Sequence, residues 1–215
     1  MQFDPAALDA ERIYKFMIGA IMPRPIAVVG TRAPDGSSIN LAPFSFFCGV
    51  GSNPMTLCFC PANDEVGAEK DTLRNAKPVA EGGSGEFTVS VAPHRIIRQV
   101  VAAAEGLAYG DSEFELAGLT PAAGVRVRAP RVAESPIAFE CRTLQVIRTN
   151  PGAPSGGNLV LGAVELIHVD DDVIDARGRL DAARLDLVGR MAGLGYCTTR
   201  DRFDLPWGRA AIEGS

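Results

Sequence analysis

The stretch PRPIAVVGTRAPDGSSINLAPFSFF, residues 23–47, decides the fold. Its first part, Pro23 to Thr31, is rich in β-branched residues after the prolines and predicts a strand. The segment RAPDGSS follows, and its Pro and Asp-Gly are typical of a tight turn. A second, mostly apolar run extends from Ser38 to Val50. The stretch therefore predicts two strands joined by a turn.

Strand-like runs recur along the rest of the chain, and few helices separate them. The predicted strands are Met55–Cys60, Gly85–Ala92, Ile137–Arg148 and Asn158–Asp171, and the predicted helices are residues 6–18, 68–76 and 94–106. Because no regular crossover helices join the strands, a parallel doubly wound sheet is disfavoured. The chain also has no GxGxxG motif after a strand and no Walker-type loop. We expect a mainly β fold, an antiparallel β-barrel or sandwich with peripheral helices.

The connections carry weaker patterns than the strands. Residues 111–136 are expected to be mostly irregular, and the Gly/Pro-rich segment 149–158 to be a mobile hairpin loop. The tail after residue 178 predicts a short helix followed by loop. No repeat or low-complexity linker divides the chain, so we expect a single domain, residues 1–215.

Composition limits the classes of function. The chain has 47% hydrophobic and 22% charged residues, which is ordinary for a soluble globular protein. A net charge of −5 gives no reason to expect nucleic acid or acidic lipid as a partner. No apolar run is long enough to span a membrane, and the mixed, charged N-terminus does not resemble a secretory signal. We therefore expect a cytoplasmic protein.

The five cysteines, Cys48, Cys58, Cys60, Cys141 and Cys197, mostly lie in apolar strand-like runs. Alternation along a strand puts Cys58 and Cys60 on one face. No CxxC pair or close His/Cys cluster is present, and the chain has only two histidines. The pattern predicts reduced, partly buried thiols and no metal site.

Two stretches carry polar residues that a buried strand or an ordinary helix would not need. INLAPFSFF, Ile39 to Phe47, is either a core strand with a bulge at Pro43 or a wall for a flat aromatic ligand. GAEKDTLRN contains Lys70, Asp71 and Thr72 at a predicted helix start, which is either a solvated, capped helix or an anion site. In both readings Asp71 would cap the helix by accepting from an amide two or three residues on.

The order of six fragments resembles the flavin reductase-like family. They are PRPIAVVGTRAPDGSSINLAPFSFF, KDTLRN, EFTVSV, EFELAGLTP, PRVAESPIAFEC and LVLGAVELIHVDD, and the match as a whole runs from about Tyr14 to Tyr196. This family consists of FMN-binding split β-barrel proteins with an antiparallel, Greek-key-like sheet. The resemblance implies a homodimer with FMN at or near the subunit interface.

If the chain binds FMN, as the resemblance implies, several residues become candidates for binding it, and the resemblance itself points to Lys70, Asp71 and Thr72. The isoalloxazine and ribityl chain would lie along Asn40, Leu41, Ala42, Pro43, Ser45, Phe46 and Phe47, much of it against main chain. The phosphate would lie at Lys70, Asp71 and Thr72. Asn63 could reach it or be a turn residue, and Arg32 could meet the phosphate or the dimer partner. Arg24, fixed between two prolines, could reach the flavin or a substrate, and Arg190 and Tyr196 could form a rim over the ring. His168 is either a proton donor near the flavin or a structural residue.

The implied chemistry is hydride transfer from NADH or NADPH to N5 of the flavin, in which the protein supplies orientation. The chain agrees with this, because it contains no GxSxG elbow and no compact Ser/His/Asp set. The alternative is a flavoredoxin-like protein that holds FMN and exchanges electrons with a protein partner, without a nicotinamide site. A partner monooxygenase fits the first activity. No motif distinguishes NADH from NADPH, or bound FMN from exchangeable FMN.

Overall fold

A computed structural model describes residues 1–213. Its main sheet has seven antiparallel strands in the order β2-β1-β5-β8-β9-β4-β3. These strands are β1 Ala27–Arg32, β2 Ile39–Phe44, β3 Phe47–Ser52, β4 Met55–Phe59, β5 Glu86–Val91, β8 Ile137–Arg148 and β9 Asn158–Val169. Late strands are interleaved between early ones, as in a Greek key. The mainly β, antiparallel prediction is confirmed.

Four short strands form two small hairpins outside the main sheet. They are β6 Pro121–Ala122 with β7 Arg131–Val132, and β10 Val188–Arg190 with β11 Tyr196–Thr198. The first hairpin lies in residues 111–136, which we expected to be mostly irregular. The second lies in the tail, where only a helix and loop were expected.

The helices are short and lie outside the sheet. They are α1 Ala10–Ala20, α2 Asp71–Ala76, α3 Ile97–Ala102, α4 Glu113–Ala117, α5 Ala182–Leu185 and α6 Ala210–Glu213. α1 begins later than predicted because Asp9 caps it by accepting from the Arg12 amide. The helix predicted at 94–106 is a 3-10 turn, His94–Ile96, followed by α3. Within residues 1–213, no helix combines the length and apolarity that crossing a membrane requires.

The run from Ser38 to Val50, predicted as one strand, is two strands separated by Ser45 and Phe46. β2 and β3 then diverge to the two opposite edges of the sheet. Since only two residues join these edges, the sheet must curl until the edges meet at that end. The Phe46 carbonyl accepts from the Cys60 amide, which fixes the bend against the end of β4. The break therefore turns the sheet into a barrel that is split between β2 and β3.

Alternation along the strands gives the sheet two buried faces. Inside the barrel, Val29, Phe59, Phe87, Val89 and Val160 form one apolar cluster. On the outer face, Val28 and Leu41 pack with Val100 of α3 and Phe114 of α4 in a second cluster. Consecutive residues of β1 and β2 therefore belong to different cores, and both faces of this edge of the sheet are covered by protein.

The segment 149–158 is the connection between β8 and β9, as expected. It is tied to the preceding loop by two asparagines. Asn63 donates to the Ala153 carbonyl at 3.0 Å and accepts from Asn158 Nδ2 at 2.9 Å. Asn158 Nδ2 also donates to the Pro61 carbonyl. Both polar atoms of the Asn63 side chain are thus used to hold this hairpin loop.

Candidate functional site

The candidate site is built on β2, which is an edge strand. The Leu41 amide points away from β1 and donates to Glu113 Oε2 at 3.0 Å. Pro43 lies two residues further on, so its missing N–H faces the same open side and the ladder with β1 loses no bond. The β1–β2 register runs through Pro43 without a shift. The bulge at Pro43 is therefore not observed, and β2 is an edge strand and not a central one.

A cavity of about 240 Å³ lies beside Pro43 on the outer face of β2. It is lined by Tyr14, Ile26, Pro43, Ser45, Val100, Val101, Ala104, Arg190 and Tyr196. Four of these, Pro43, Ser45, Arg190 and Tyr196, are binding residues proposed from the sequence. They come from two segments about 150 positions apart in the chain, which the fold joins at one end of the barrel. We call this space the edge cavity.

Arg24 braces the walls of the edge cavity. The side chain is 3% exposed, and its guanidinium donates to Ser45 Oγ at 3.1 Å. It also donates to three backbone carbonyls, those of Ile18, Ile21 and Met191. Burial lowers the pKa of Arg24, with a smaller contribution from Arg190. All its donating nitrogens are used within the chain, so Arg24 positions Ser45 rather than presenting a free charge to a ligand.

Tyr196 and Arg190 form the rim of the edge cavity. They lie opposite each other in the β10–β11 hairpin, with the guanidinium 4.4 Å from the ring centroid. The backbone of Arg190 pairs with the backbone of Arg24 through two hydrogen bonds. Tyr196 is 39% exposed, so one part of its ring faces outward. Both residues line the edge cavity and are carried by a hairpin instead of a loop, and their role as a rim over a flavin stays a prediction.

The predicted phosphate residues lie at the start of α2. Lys70 occupies the N-cap position, makes no side-chain capping bond, and is exposed without an ion pair to any residue of the described range 1–213. Asp71 is the first helical residue and pairs with Arg74 at 3.4 Å, so the prediction that Asp71 caps the helix is wrong. Burial raises the pKa of Asp71, and Arg74 partly offsets this.

A buried polar contact joins β2 to α2. Asn40 Nδ2 donates to Thr72 Oγ1 at 3.0 Å, and Thr72 is 2% exposed. Next to it, Asn75 donates to Thr31 on β1 and accepts from Tyr109. The contact brings together the two polar stretches singled out in the sequence. Because Thr72 accepts from the amide, its own hydroxyl proton is left to donate elsewhere.

The candidate site has two halves, the edge cavity and the start of α2, and they lie on opposite faces of β2. Asn40 and Phe44 point to the barrel side, where Phe44 packs on the inner cluster, whereas Leu41 and Pro43 point outward. At a strand rise of about 3.4 Å per residue, Asn40 and Pro43 are about 10 Å apart. Of the other proposed residues, Leu41 is fully buried and Phe47 packs on the inner cluster. A ligand that contacts both halves must therefore cross the open edge of β2.

Arg32 and His168 lie away from both the edge cavity and the start of α2. Arg32 donates to the Arg128 and Gly36 carbonyls and lines a separate cavity of about 730 Å³. His168 on β9 lies four strand spacings from β2, and its Nε2 is 2.6 Å from Glu140 Oε1.

Glu140 also accepts from the amides of Val125, Arg126 and Val127. Burial of Glu140 opposes its ionisation, but the bonds from His168 and the amides prevail and lower its pKa. His168 is thus bonded to the carboxylate that holds the backbone of residues 125–127.

Sequence reasoning missed several residues of the site. Tyr14, Val100 and Val101 line the edge cavity from helices that gave no functional signal. Glu113, whose pKa is raised mainly by burial, covers the open edge of β2 from a segment expected to be irregular. Only tertiary packing brings these side chains to β2, so no local pattern in the sequence could have identified them.

The curled sheet and the cleft at its open edge define the chain as a split-barrel protein. Residues 18–189 match the family model described as flavin reductase like domain. The chain therefore belongs to the flavin reductase-like family, and the resemblance seen in the sequence is confirmed.

Known proteins resemble the chain over nearly all of its length. An uncharacterized protein of Deinococcus radiodurans is 38% identical over 209 residues, covering 94% of this chain and 88% of that protein. Nitrilotriacetate monooxygenase component B from Bacillus cereus is 30% identical, with a TM-score of 0.86 and coverage of 95% and 98% of the two chains. A split barrel domain protein of Shewanella frigidimarina, 22% identical with a TM-score of 0.77 over 97% and 100%, shares the fold.

Proposed function

We propose that this chain is an FMN-binding, cytoplasmic oxidoreductase of one domain that transfers hydride from NADH or NADPH to flavin. The observation that carries the proposal is the edge cavity, where Pro43, Ser45, Arg190 and Tyr196 meet beside an open strand edge. Family membership supports flavin as the ligand class. Component B of a monooxygenase, similar in sequence and structure, supports an electron-donating role toward a partner enzyme.

The edge cavity offers the surfaces that a flavin ring requires. Ile26, Val100 and Pro43 supply apolar walls, and Tyr196 supplies an aromatic edge. Ser45, held by Arg24, supplies a fixed polar group for the pyrimidine side of the ring. Bound FMN would supply the hydride-accepting centre, and the side chains would orient the ring and exclude water from one face. No acid or base in the cavity is required.

The phosphate is assigned to Lys70, across the open edge of β2. Its exposed ammonium has no partner in residues 1–213, and the unpaired amides of the first turn of α2 follow it. Asn40, which contacts Thr72 at this end of the site, lies about 10 Å along β2 from Pro43, and this separation suits an extended ribityl chain. Thr72 is buried, so it supports this end of the site by accepting from Asn40.

A second cavity provides space for the nicotinamide donor. It measures about 460 Å³ and shares Val101 and Tyr196 with the edge cavity. His94 and Arg98 also line it, and the Arg98 side chain has no bonded partner within residues 1–213. A dinucleotide whose nicotinamide stacks at Tyr196 would place its anionic phosphates near this guanidinium. We call this space the donor cavity.

The exposed apolar surface of α1 supports a homodimer. Ile13, Tyr14, Phe16 and Met17 are each at least 37% exposed, and α1 has no buried residue. Trp207 in the C-terminal segment is 96% exposed. A second copy of the chain covering α1 would lie next to the edge cavity, because Tyr14 lines that cavity. Light scattering should give a dimer with and without FMN, and a monomer that binds FMN at full affinity would contradict the shared site.

The proposal is tested in two stages with the purified full chain. First, the visible spectrum is recorded and the released chromophore is identified, with FMN added if the protein is colourless. Second, the FMN complex is mixed anaerobically with NADH or NADPH in a stopped-flow instrument. Rapid bleaching of the flavin band supports the oxidoreductase. Slow bleaching by both donors with fast reduction by a reduced ferredoxin would favour the flavoredoxin-like alternative, and failure to bind FMN would refute both.

A further inference from the structure

Three cysteines meet where β3 pairs with β4. Cys48 and Cys58 are directly opposite each other in the antiparallel register, and their Sγ atoms are 3.4 Å apart. Both are free thiols. Cys60 lies two residues beyond Cys58, on the same face of the chain, and its amide bonds to the Phe46 carbonyl. The arrangement is a close dithiol with a third thiol near it.

The strand that carries Cys48 lies at an edge of the sheet. β3 is the last strand of the sheet, and its sequence, FCGVGS, contains two glycines with a register shift between them. A disulfide requires a Cβ–Cβ distance of about 3.5–4.5 Å, whereas directly opposed residues lie about 4.5–5.5 Å apart. Closing the bond therefore needs an approach of about 1 Å. Because β3 is paired on one side only and has glycines after Cys48, it is the part of the sheet best able to make this approach.

The two thiols differ in access. Cys48 is exposed and Cys58 is buried beneath it. Burial, and then the bond to Cys48, raise the pKa of Cys58 to about 11. Burial also raises the pKa of Cys60. A small oxidant arriving from solvent therefore meets Cys48 first, and Cys58 is the thiol positioned to react with the oxidised sulfur.

We propose that Cys48 and Cys58 form a peroxide-sensitive dithiol, in which Cys48 is oxidised first and Cys58 resolves it to a disulfide. The Cys48 thiolate attacks one oxygen of hydrogen peroxide, the O–O bond breaks, and hydroxide leaves and takes a proton to become water. The resulting sulfenic acid is attacked by Cys58, the S–O bond breaks, and a second water leaves as the S–S bond forms. Two thiols lose two electrons, and one peroxide is reduced to two waters.

The disulfide would act on the candidate site through the bend at Ser45 and Phe46. Cys48 is two residues after Phe46, so a bond to Cys58 would fix the edge strand that begins at this bend. We expect the oxidised protein to exchange bound ligand at the edge cavity more slowly than the reduced protein. This consequence rests on the proposed function, whereas formation of the disulfide does not.

The test uses the full chain, reduced and then treated with hydrogen peroxide. A single tryptic peptide, residues 33–70, would contain all three cysteines, because no Lys or Arg lies between Arg32 and Lys70. Cleavage after Met55 and after Phe59 separates the three thiols for mass spectrometry. We expect a mass decrease of about 2 Da per chain, a Cys48–Cys58 link, and full reversal by dithiothreitol.

Variants distinguish this pair from the neighbouring thiol. Cys60→Ser, the matched control, should form the link as the unaltered chain does. Cys58→Ser and Cys58→Ala should stop at a Cys48 sulfenic acid that dimedone traps, and Cys48→Ser should lose most of the fast peroxide reaction. A Cys48–Cys60 link, a link between two chains, or equal peroxide rates for Cys48→Ser and the unaltered chain would overturn the proposal. These outcomes are read by mass and do not depend on flavin binding.

Discussion

Replacing Arg24 with methionine should destabilise the protein and weaken FMN binding together. The methionine keeps a comparable apolar stem but removes four hydrogen bonds, of 3.1, 2.8, 2.6 and 3.1 Å, from a guanidinium that is 3% exposed. Each bond to a charged group is worth about 1.5–3 kcal/mol before the cost of burying the charge is subtracted. The sum over the four bonds is therefore an upper limit on the free energy of unfolding that the substitution removes.

The environment of the four acceptors makes the expected loss of stability smaller than this limit. The Ile18 and Ile21 carbonyls lie at the end of α1, and Ile21 is 51% exposed, so water can replace the lost donors. Ser45 Oγ and the Met191 carbonyl lie between packed segments and would lose their partner. We expect a decrease of about 3 kcal/mol in the free energy of unfolding, dominated by these two contacts.

Urea unfolding followed by far-UV circular dichroism measures this decrease, and Arg12→Met is the matched control. Arg12 is exposed and its guanidinium lies over the Phe3 ring, so its loss should cost less than about 0.5 kcal/mol. FMN affinity, measured where both proteins are folded, should fall about tenfold for Arg24→Met because Ser45 is no longer held. Equal stability of the two variants, or unchanged FMN affinity in a destabilised Arg24→Met, would refute the bracing role.

Three further predictions test separate parts of the site. Lys70→Ala should weaken FMN about tenfold and leave riboflavin unchanged, because only FMN carries the phosphate; equal weakening of both in titrations would contradict the assignment. Arg98→Gln should raise the KM for the nicotinamide donor about fivefold with kcat unchanged, while the exposed Arg177→Gln should have no effect. Hydrogen bonds lower the pKa of Glu140 in the folded protein below its ordinary 4.5. The contribution of Glu140 to the free energy of unfolding is therefore complete above pH 4.5 and is lost as the pH falls through its pKa in the folded protein. Glu140→Gln should lower Tm at pH 7 and flatten this acid dependence, and an unchanged acid slope would exclude Glu140 as its source.

The strands could be predicted because their patterns are local. Breakers bound β8, and its limits, Ile137 and Arg148, are those expected from the sequence. The break at Ser45 and Phe46 could not be predicted, because the apolar run continues across it and the bend depends on Arg24 and Cys60. The role of Glu113 in α4 could not be predicted for a related reason. Its carboxylate accepts from the Leu41 amide at an open strand edge that exists only in the folded sheet.

The candidate site was predicted unevenly. Pro43 was recognisable because a proline in an apolar run favours a strand edge, and the structure places it there. Tyr196 was proposed only because an aromatic edge suits a flavin, since nothing local links it to β2. The helix start near Lys70 was visible in the pattern, but the position of the N-cap was wrong by one residue, which is within the usual uncertainty of helix ends.

The break between β2 and β3 connects the fold to the proposed chemistry. A continuous strand from Ser38 to Val50 would pair along its whole length and leave no place where Ser45 could turn toward Arg24. The bend instead leaves β2 as an open edge, whose outward amide at position 43 is absent because the residue is proline. A ligand can cross that edge between the edge cavity and Lys70 without competing with the ladder. For this reason a substitution that straightens the bend should affect both the barrel and the binding of FMN, whereas one at Lys70 should affect the binding of FMN alone.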